Sequence, residues 1–352
     1  MTLNDILTAA IQKGASDIFI IAGIPVTYKV KGAQDRDGGQ IMKPDDINGL
    51  IDEIYQAGRR AKTNIENNND DDFSFSIRDL GRFRVNIFRQ RGSLAAVIRV
   101  IRFGIPDPET LGIPESVLSL ADNKTGLVLV TGAAGSGKST TLACMIDRIN
   151  RTREAHIITM EDPLEYLHSH NKSIVSQREI FIDTPGYLDS LRSALRESPD
   201  VILLGEMRDY DTISSAITAA ETGVLLFSTL HTSSAANTIN RIVDVFPAAQ
   251  QVQVRGQLAQ LIKGVVCQQL VTSVDGHLIP VFEVMKSTPA IHNMIREGKL
   301  HQLESAMQAA SQDGMITMDT SLLNLYNQKL ITKDTLLTSC NNYEFMVRKV
   351  GA

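Results

Sequence analysis

Apolar and polar positions alternate with a period of two in the early part of the chain. Phe73, Phe75 and Ile77 form one such run; Phe83, Val85 and Ile87 form another, with Arg82, Arg84 and Asn86 on the opposite face. Half-buried strands give this pattern, and Leu80-Gly81 between the runs reads as a turn. Ile47, Leu50, Ile51 and Ile54 recur instead at helical spacing. A mixed α/β domain is therefore expected over residues 1–102, with the Asn/Asp tract 67–72 as a loop. Residues 103–115 read FGIPDPETLGIPE. Proline removes backbone donors and favours extended structure, so an ordered linker is expected there.

Over residues 116–352 the pattern changes to short apolar runs followed by amphipathic helices. The runs are 127–130, 156–160, 201–204 and 224–227, and each leads into polar or charged residues. That is the signature of a parallel sheet with active groups at the carboxyl ends of its strands. From about residue 289 the chain reads mostly helical.

The strongest chemical signal follows the first of these runs. Gly132-Ala133-Ala134-Gly135-Ser136-Gly137-Lys138-Ser139 matches G-x-x-x-x-G-K-[ST], with a strand before it and a helix carrying Leu142, Met145, Ile146 and Ile149 after it. Glycines let successive N–H groups converge on phosphate oxygens, and the helix start adds its positive dipole end. Gly132, Gly135, Ser136, Gly137, Lys138, Ser139 and Thr140 are the expected nucleotide-binding residues. Lys138 is the cation for the β/γ-phosphates and Ser139 the hydroxyl for Mg²⁺.

The other strand ends carry acids and an imidazole. Residues 201–204 lead to Gly205-Glu206, and Glu206 is expected to orient or deprotonate the attacking water. The commoner pattern has aspartate where this chain has Gly205. Residues 156–160 lead to Glu161-Asp162-Pro163, with Glu165 close behind. These carboxylates, with Ser139, are the expected metal site, and Glu161 is alternatively a second water-activating acid. Residues 228–232 read Ser-Thr-Leu-His-Thr, which puts His231 in register with the other groups, to bond the γ-phosphate or hold the acid. Arg196 and Arg208 flank the Glu206 strand and are expected at the phosphates. Arg84 and Arg99 lie on strands of the first domain. They would be arginine fingers if that domain closes on the nucleotide, and internal ion pairs otherwise.

Composition narrows the function classes. The 352 residues are 43% hydrophobic, enough for real cores, and the formal net charge is -5. There is no general pull toward nucleic-acid phosphates. Tryptophan is absent and aromatics are 5%, which argues against a stacking path for a single strand. Cys144, Cys267 and Cys340 lie far apart, without a Cys-x-x-Cys pair, so no structural zinc is expected. The first residues lack a signal peptide's pattern and no apolar run is span-sized, so a cytoplasmic protein is expected.

TMEDPLEY, PDVILLGEMRD and STLHTSSAANTINRIVDVFP resemble the acidic box, Walker B and histidine box of the type II/type IV secretion ATPases. GRFRVN, GMITMDTSLLNLY and residues 290–297 resemble the type IV pilus retraction branch, the PilT type. The resemblance covers nearly the whole chain. It implies an N-terminal PAS-like α/β domain and a C-terminal RecA-like P-loop domain with a helical end. It also implies a homohexameric, ATP- and Mg²⁺-dependent motor seated under an inner-membrane platform protein, with a paralogous pilus ATPase as a further partner and no nucleic acid. The family's arginine fingers fall on Arg84 and Arg99. Departures are Ala133-Ala134 for the usual Pro-Thr, His292 for arginine, Met294 for leucine, and Ile18-Phe19 where a histidine is usual. An accessory paralogue or an assembly or type II secretion ATPase are the alternatives, the latter usually carrying an extra domain and a zinc module. A RecA-like nucleic-acid motor is the alternative of another class.

Overall fold

The computed structural model describes residues 1–351 except 31, 37, 79, 102 and 103, so the expected boundary at 102/103 itself lies outside the described residues. The chain forms two compact units, Met1–Gly104 and Ile105–Ala352.

The first unit runs α1 (Leu3–Gln12), β1 (Ala15–Ile20), β2 (Thr27–Val30), β3 (Ala33–Arg36), α2 (Pro44–Ala57), α3 (Thr63–Asn68), β4 (Asp70–Ile77), β5 (Gly81–Gln90) and β6 (Ser93–Ile101). Its antiparallel sheet has the order β3-β2-β1-β6-β5-β4. Phe83, Val85 and Ile87 point into a core shared with Ile47, Leu50, Ile51 and Ile54 of α2. The alternating face therefore meets the helical face, as an α/β layer pair requires.

The Asn/Asp tract is not a loop. Asn69 alone separates α3 from β4, in the left-handed conformation at φ 60° that asparagine tolerates. Asp70 and Asp72 face out and bond Asn86 and Arg84 across the strand pair. Asp71 points inward, where Arg60, Asn64 and Tyr55 donate to it. Cross-strand donors thus make acidic residues acceptable in a strand that propensity alone disfavours.

The second unit begins with the proline-rich segment. Ile105, Leu111 and Ile113 of that segment pack against the core of this unit. Then follow α4 (Glu115–Leu118), β7 (Gly126–Thr131), α5 (Lys138–Thr152), β8 (His156–Glu161), β9 (Ile174–Glu179), α6 (Tyr187–Ala194), β10 (Val201–Leu204), α7 (Tyr210–Glu221), β11 (Leu225–Leu230), α8 (Ala235–Asp244), α9 (Ala248–Leu261), β12 (Ile262–Thr272) and β13 (Leu278–Lys286). Helices α10 (Pro289–Glu297), α11 (Leu303–Ala309), α12 (Met318–Asn327), α13 (Lys333–Ser339) and α14 (Tyr343–Val350) complete it, as the helical pattern from residue 289 predicts.

The sheet order is β13-β12-β7-β11-β10-β8-β9, parallel throughout except for the β12–β13 hairpin. Leu127 and Leu129 face one core while Val128 and Val130 face another. Burial on both faces explains the continuous apolar runs. Strand β11 extends beyond the expected run 224–227 to Leu230, because its ladder with β7 continues to Leu230↔Thr131.

Glu283 of β13 ties two helices to the sheet. Its Oε1 accepts from Ala235 N–H at 2.7 Å and its Oε2 from Met318 N–H at 3.2 Å. These are the first residues of α8 and α12, whose early N–H groups have no intrahelical partner. Glu283→Ala leaves both donors buried and unpaired, and should lower stability by about 2–4 kcal/mol in urea denaturation; Glu283→Gln, which keeps one acceptor oxygen, should lose less.

Candidate phosphate-binding site

β7 ends at Thr131 and hands the chain to the glycine loop, with α5 starting at Lys138. Gly137, just before the helix, has φ +90°, a conformation that a side chain would strain. Ala133, Ala134 and Gly135 are exposed, while Gly132 and Ser136 are buried. Lys138 Nζ donates to the carbonyls of Gly132 and Ala133 at 2.8 and 2.9 Å, curling over the loop it belongs to. Burial lowers its pKa, and the charges of Glu206 and Glu165 work the other way.

A cavity of about 450 Å³ opens in front of the loop. Gly135, Gly137, Lys138, Ser139 and Thr140 line it from the loop and helix; Glu161, Asp162, Glu165, Glu206 and His231 line it from the strand ends. The strands that carry these groups, β7, β11, β10 and β8, are neighbours in the sheet, so parallel pairing alone brings their ends together. Gly132 and Ser136 face an adjoining cavity of about 630 Å³, which His231 also lines.

Glu206 lies at the centre of the polar contacts. Arg208 pairs with its Oε2 at 2.8 Å, and His231 Nε2 lies 3.3 Å from its Oε1. Burial opposes its ionisation but is outweighed by the Arg208 hydrogen bond and the charges of Arg208, His231 and Lys138, so its pKa falls below the usual carboxylate value. The glycine before it has a steric reason. A Cβ on Gly205 would stand 2.9 Å from Tyr187 Oη and 3.1 Å from Met160 O, so the commoner aspartate would fit only if Tyr187 and that carbonyl shifted. Thr229 of β11 fixes the same turn by donating to Gly205 O at 2.6 Å.

Glu161 has the opposite character. Burial pushes its pKa up to about 7, against the hydroxyl of Thr159, which donates to it at 2.7 Å. Glu165 instead accepts from Ser139 Oγ at 3.0 Å. Ser139 and Glu165 are adjacent hard oxygen donors, the type that Mg²⁺ takes beside phosphate oxygens and water. Among the described residues no three His, Cys, Asp or Glu groups converge on a metal-sized point. Of the expected metal set, Ser139 and Glu165 are hydrogen-bonded to one another, Glu161 accepts from Thr159, and all four residues including Asp162 line the same cavity.

Arg196 lies before β10, beside Glu197, whose carbonyl contacts His156 at the start of β8. That is the amino end of the strands, about 13 Å of strand length from the loop end. In this chain it is not gathered with the phosphate loop. Arg84 and Arg99 belong to the first unit, directly opposite one another in the β5–β6 register. Arg84 pairs with Asp72 and Arg99 with Asp17, and the Arg99 side chain is 69% exposed. Tyr187 also lines the cavity and stands outside the motifs, while Thr229 and Tyr166, whose hydroxyl meets Thr140 Oγ1 at 2.8 Å, lie inside motif segments that do not single them out as site residues.

The loop and the strand-end groups stand where a RecA-like P-loop ATPase has them, and the protein is of that class. The model of the Type II/IV secretion system protein family matches residues 1–340, and the chain belongs to that family. It is 44% identical to the type IV pilus retraction ATPase PilT of Pseudomonas aeruginosa, over 95% of this chain and 96% of that one. A twitching motility protein of Neisseria gonorrhoeae is 41% identical over 98% and 91%. A crystal structure described as the pilus retraction motor PilT with bound ADP superposes with TM-score 0.91 at 44% identity, covering 99% of both chains. The ATPase DotB of Legionella pneumophila superposes with TM-score 0.81 at 28% identity, covering 99% of this chain and 96% of that one. No helix among the described residues is long and apolar enough to cross a membrane.

The Glu161 shift has a direction that can be measured. Its folded pKa of about 7 exceeds the ordinary 4.5, so the folded state binds the proton more tightly than the unfolded one. Stability relative to a neutral side chain is therefore full below pH 4.5 and lost as pH rises through 7. Glu161→Gln should match wild type near pH 4.5 and exceed it by about 3 kcal/mol at pH 8, in nucleotide-free denaturation series.

Proposed function

We propose that this protein is an ATP-hydrolysing motor that works as a homohexamer and powers type IV pilus retraction, the movement behind twitching motility. The observation that carries the reading is the meeting of Lys138, Glu206 and His231 in one cavity. It occurs in a chain 44% identical to a type IV pilus retraction ATPase. The motor is cytoplasmic and peripheral, docked on an inner-membrane platform protein, with a paralogous pilus ATPase as a further partner. Residues 1–102 and 116–352 act as its two domains, joined by the segment 103–115, whose Ile105, Leu111 and Ile113 pack on the second unit.

The loop from Gly132 to Thr140 holds the phosphates, and Lys138 leaves its own loop carbonyls for the β/γ-phosphates. Ser139 and Glu165 would hold Mg²⁺, which when bound would supply charge neutralisation at the triphosphate. Glu206, kept ionised by Arg208, orients the attacking water and takes its proton. His231 keeps Glu206 aimed and bonds the γ-phosphate. Glu161, near neutrality, is the second acid. Arg84 and Arg99 supply positive charge to the γ-phosphate. Exposed ion pairs are worth little, so both can exchange a carboxylate for a phosphate.

Glu206→Gln should bind ATP at near wild-type affinity and release phosphate at least about a hundredfold more slowly, since the amide keeps the shape and loses the base. Affinity and phosphate release are measured separately; normal release would remove Glu206 from the mechanism.

Arg99→Ala should cut turnover about tenfold or more with unchanged folding. In full-length protein, activity per subunit should fall on dilution as the ring dissociates. Flat activity down to monomer would defeat the ring motor and leave the ATP site standing.

A further inference from the structure

Gln268 is a buried amide in β12, at 3% exposure, the first of two adjacent glutamines in that strand. Strand β12 runs beside β7 up to the pair Cys267↔Thr131. Gln268 comes next, level with the point where β7 becomes the phosphate loop. Its Oε1 accepts a hydrogen bond from Thr141 Oγ1 at 2.7 Å, and Thr141 is itself fully buried early in α5. Its backbone oxygen fills the space beside Gly132, where an added Cβ would approach to 2.2 Å. Its Nε2 fills the space beside Gly137, where an added Cβ would approach to 2.8 Å. One residue thus touches the first glycine of the loop, the last one and the helix behind it.

A buried amide is tolerated only with partners, and the side-chain hydrogen bond of Gln268 goes to Thr141 of α5 rather than to its own strand. The loop needs outside support. Its glycines carry no side chains that could fix where their N–H groups point. Lys138 reaches the carbonyls of Gly132 and Ala133. Gln268 packs against the same loop from β12.

We infer that Gln268 is a positioning residue for phosphate binding. Through Thr141 and its contacts with Gly132 and Gly137, it holds the loop in its phosphate-binding shape before the nucleotide arrives. This rests on the ATP-binding reading of the loop. A clamp of this kind acts equally on bound substrate and transition state, so its loss raises KM and leaves kcat nearly unchanged.

The test uses full-length protein and ATP, with Gln268→Leu, Thr141→Val, Thr141→Ser and the double variant Gln268→Leu/Thr141→Val. Gln268→Leu and Thr141→Val should each raise KM about tenfold, with kcat within about threefold of wild type. The double variant should also stay near tenfold, about an order of magnitude below the product of the singles, because both remove one hydrogen bond. Thr141→Ser, which keeps the hydroxyl, should behave as wild type. Equal KM values for the Val and Ser variants, or a double variant at the product of the singles, would overturn the clamp. The Val and Ser pair decides the matter even if Gln268→Leu does not fold. A wild-type chain that hydrolyses no ATP would sink the ATPase reading as well; an active wild type with unaffected variants would sink the clamp alone.

Discussion

A desolvated ammonium sits at the mouth of the phosphate loop, and the charges around it follow from that. Lys138 is held by two loop carbonyls, and burial lowers its pKa. Glu206 and Glu165 offset that burial, and in return Lys138 helps to keep Glu206 ionised. Arg208 adds a second cation to Glu206, while Glu161 receives none and rises to about 7. Two carboxylates on nearby strand ends are thus pushed in opposite directions. Such a split is the physical basis for assigning one group to base chemistry and the other to holding a proton at neutral pH. A parallel sheet buried on both faces keeps the strand ends at fixed spacing, so the electrostatics rest on the packing beneath them.

The first unit presents a different electrostatic solution. Arg84 and Arg99 face each other across β5 and β6, an arrangement that repels unless each cation has its own anion. Asp72 and Asp17 supply those anions, and Asp17 is held nearly buried while the Arg99 side chain stays open to solvent. The sheet therefore offers a pair of cations on one face whose carboxylate partners are matched but, on the exposed side, weakly bound. That is how an ion pair inside a domain and a finger for phosphate are compatible rather than rival readings of the same residues.

The phosphate loop and the strands carrying Glu161, Glu206 and His231 were legible because both signals are local. The loop is a contiguous motif, and central parallel strands are unbroken apolar runs. Strands β9, β12 and β13 were not legible. β9 is an edge strand with an exposed Ile174 and mixed polarity, and β12 carries Gln268 and Gln269 in its interior. The acidic start of β4 was hidden because its acceptability depends on donors from Arg60, Arg84 and Asn86, far along the chain. Arg196 lies at the amino end of β10, and nearness to a strand in sequence does not say which end of that strand a residue occupies. Gln268 shows in the sequence as the first of two adjacent glutamines, but its meaning depends on the three-dimensional approach of β12 to the loop.

The positions where the chain departs from its family's pattern follow the same logic of side chain against backbone. Ala133 and Ala134 replace the usual Pro-Thr, and both are exposed. What Ala133 gives the site is its carbonyl, which Lys138 uses, so the identity of its side chain is free to vary. His292 is another matter, since it stands in α10 where arginine is usual. Its Nε2 lies 2.5 Å from Ser287 Oγ. Burial lowers its pKa, and the charges of Lys263 and Arg296 lower it further, against a backbone contact with Ile262 that works the other way. The ring is therefore biased toward its neutral form and hydrogen-bonds Ser287. The cation count of this helix then falls to Arg296, paired through Asn293, with Lys299 just beyond its end held by Glu297. A helix that meets a partner through charge would lose steering and salt dependence from this exchange, while the fold, which rests on buried Ile291 and Ile295, would not register it.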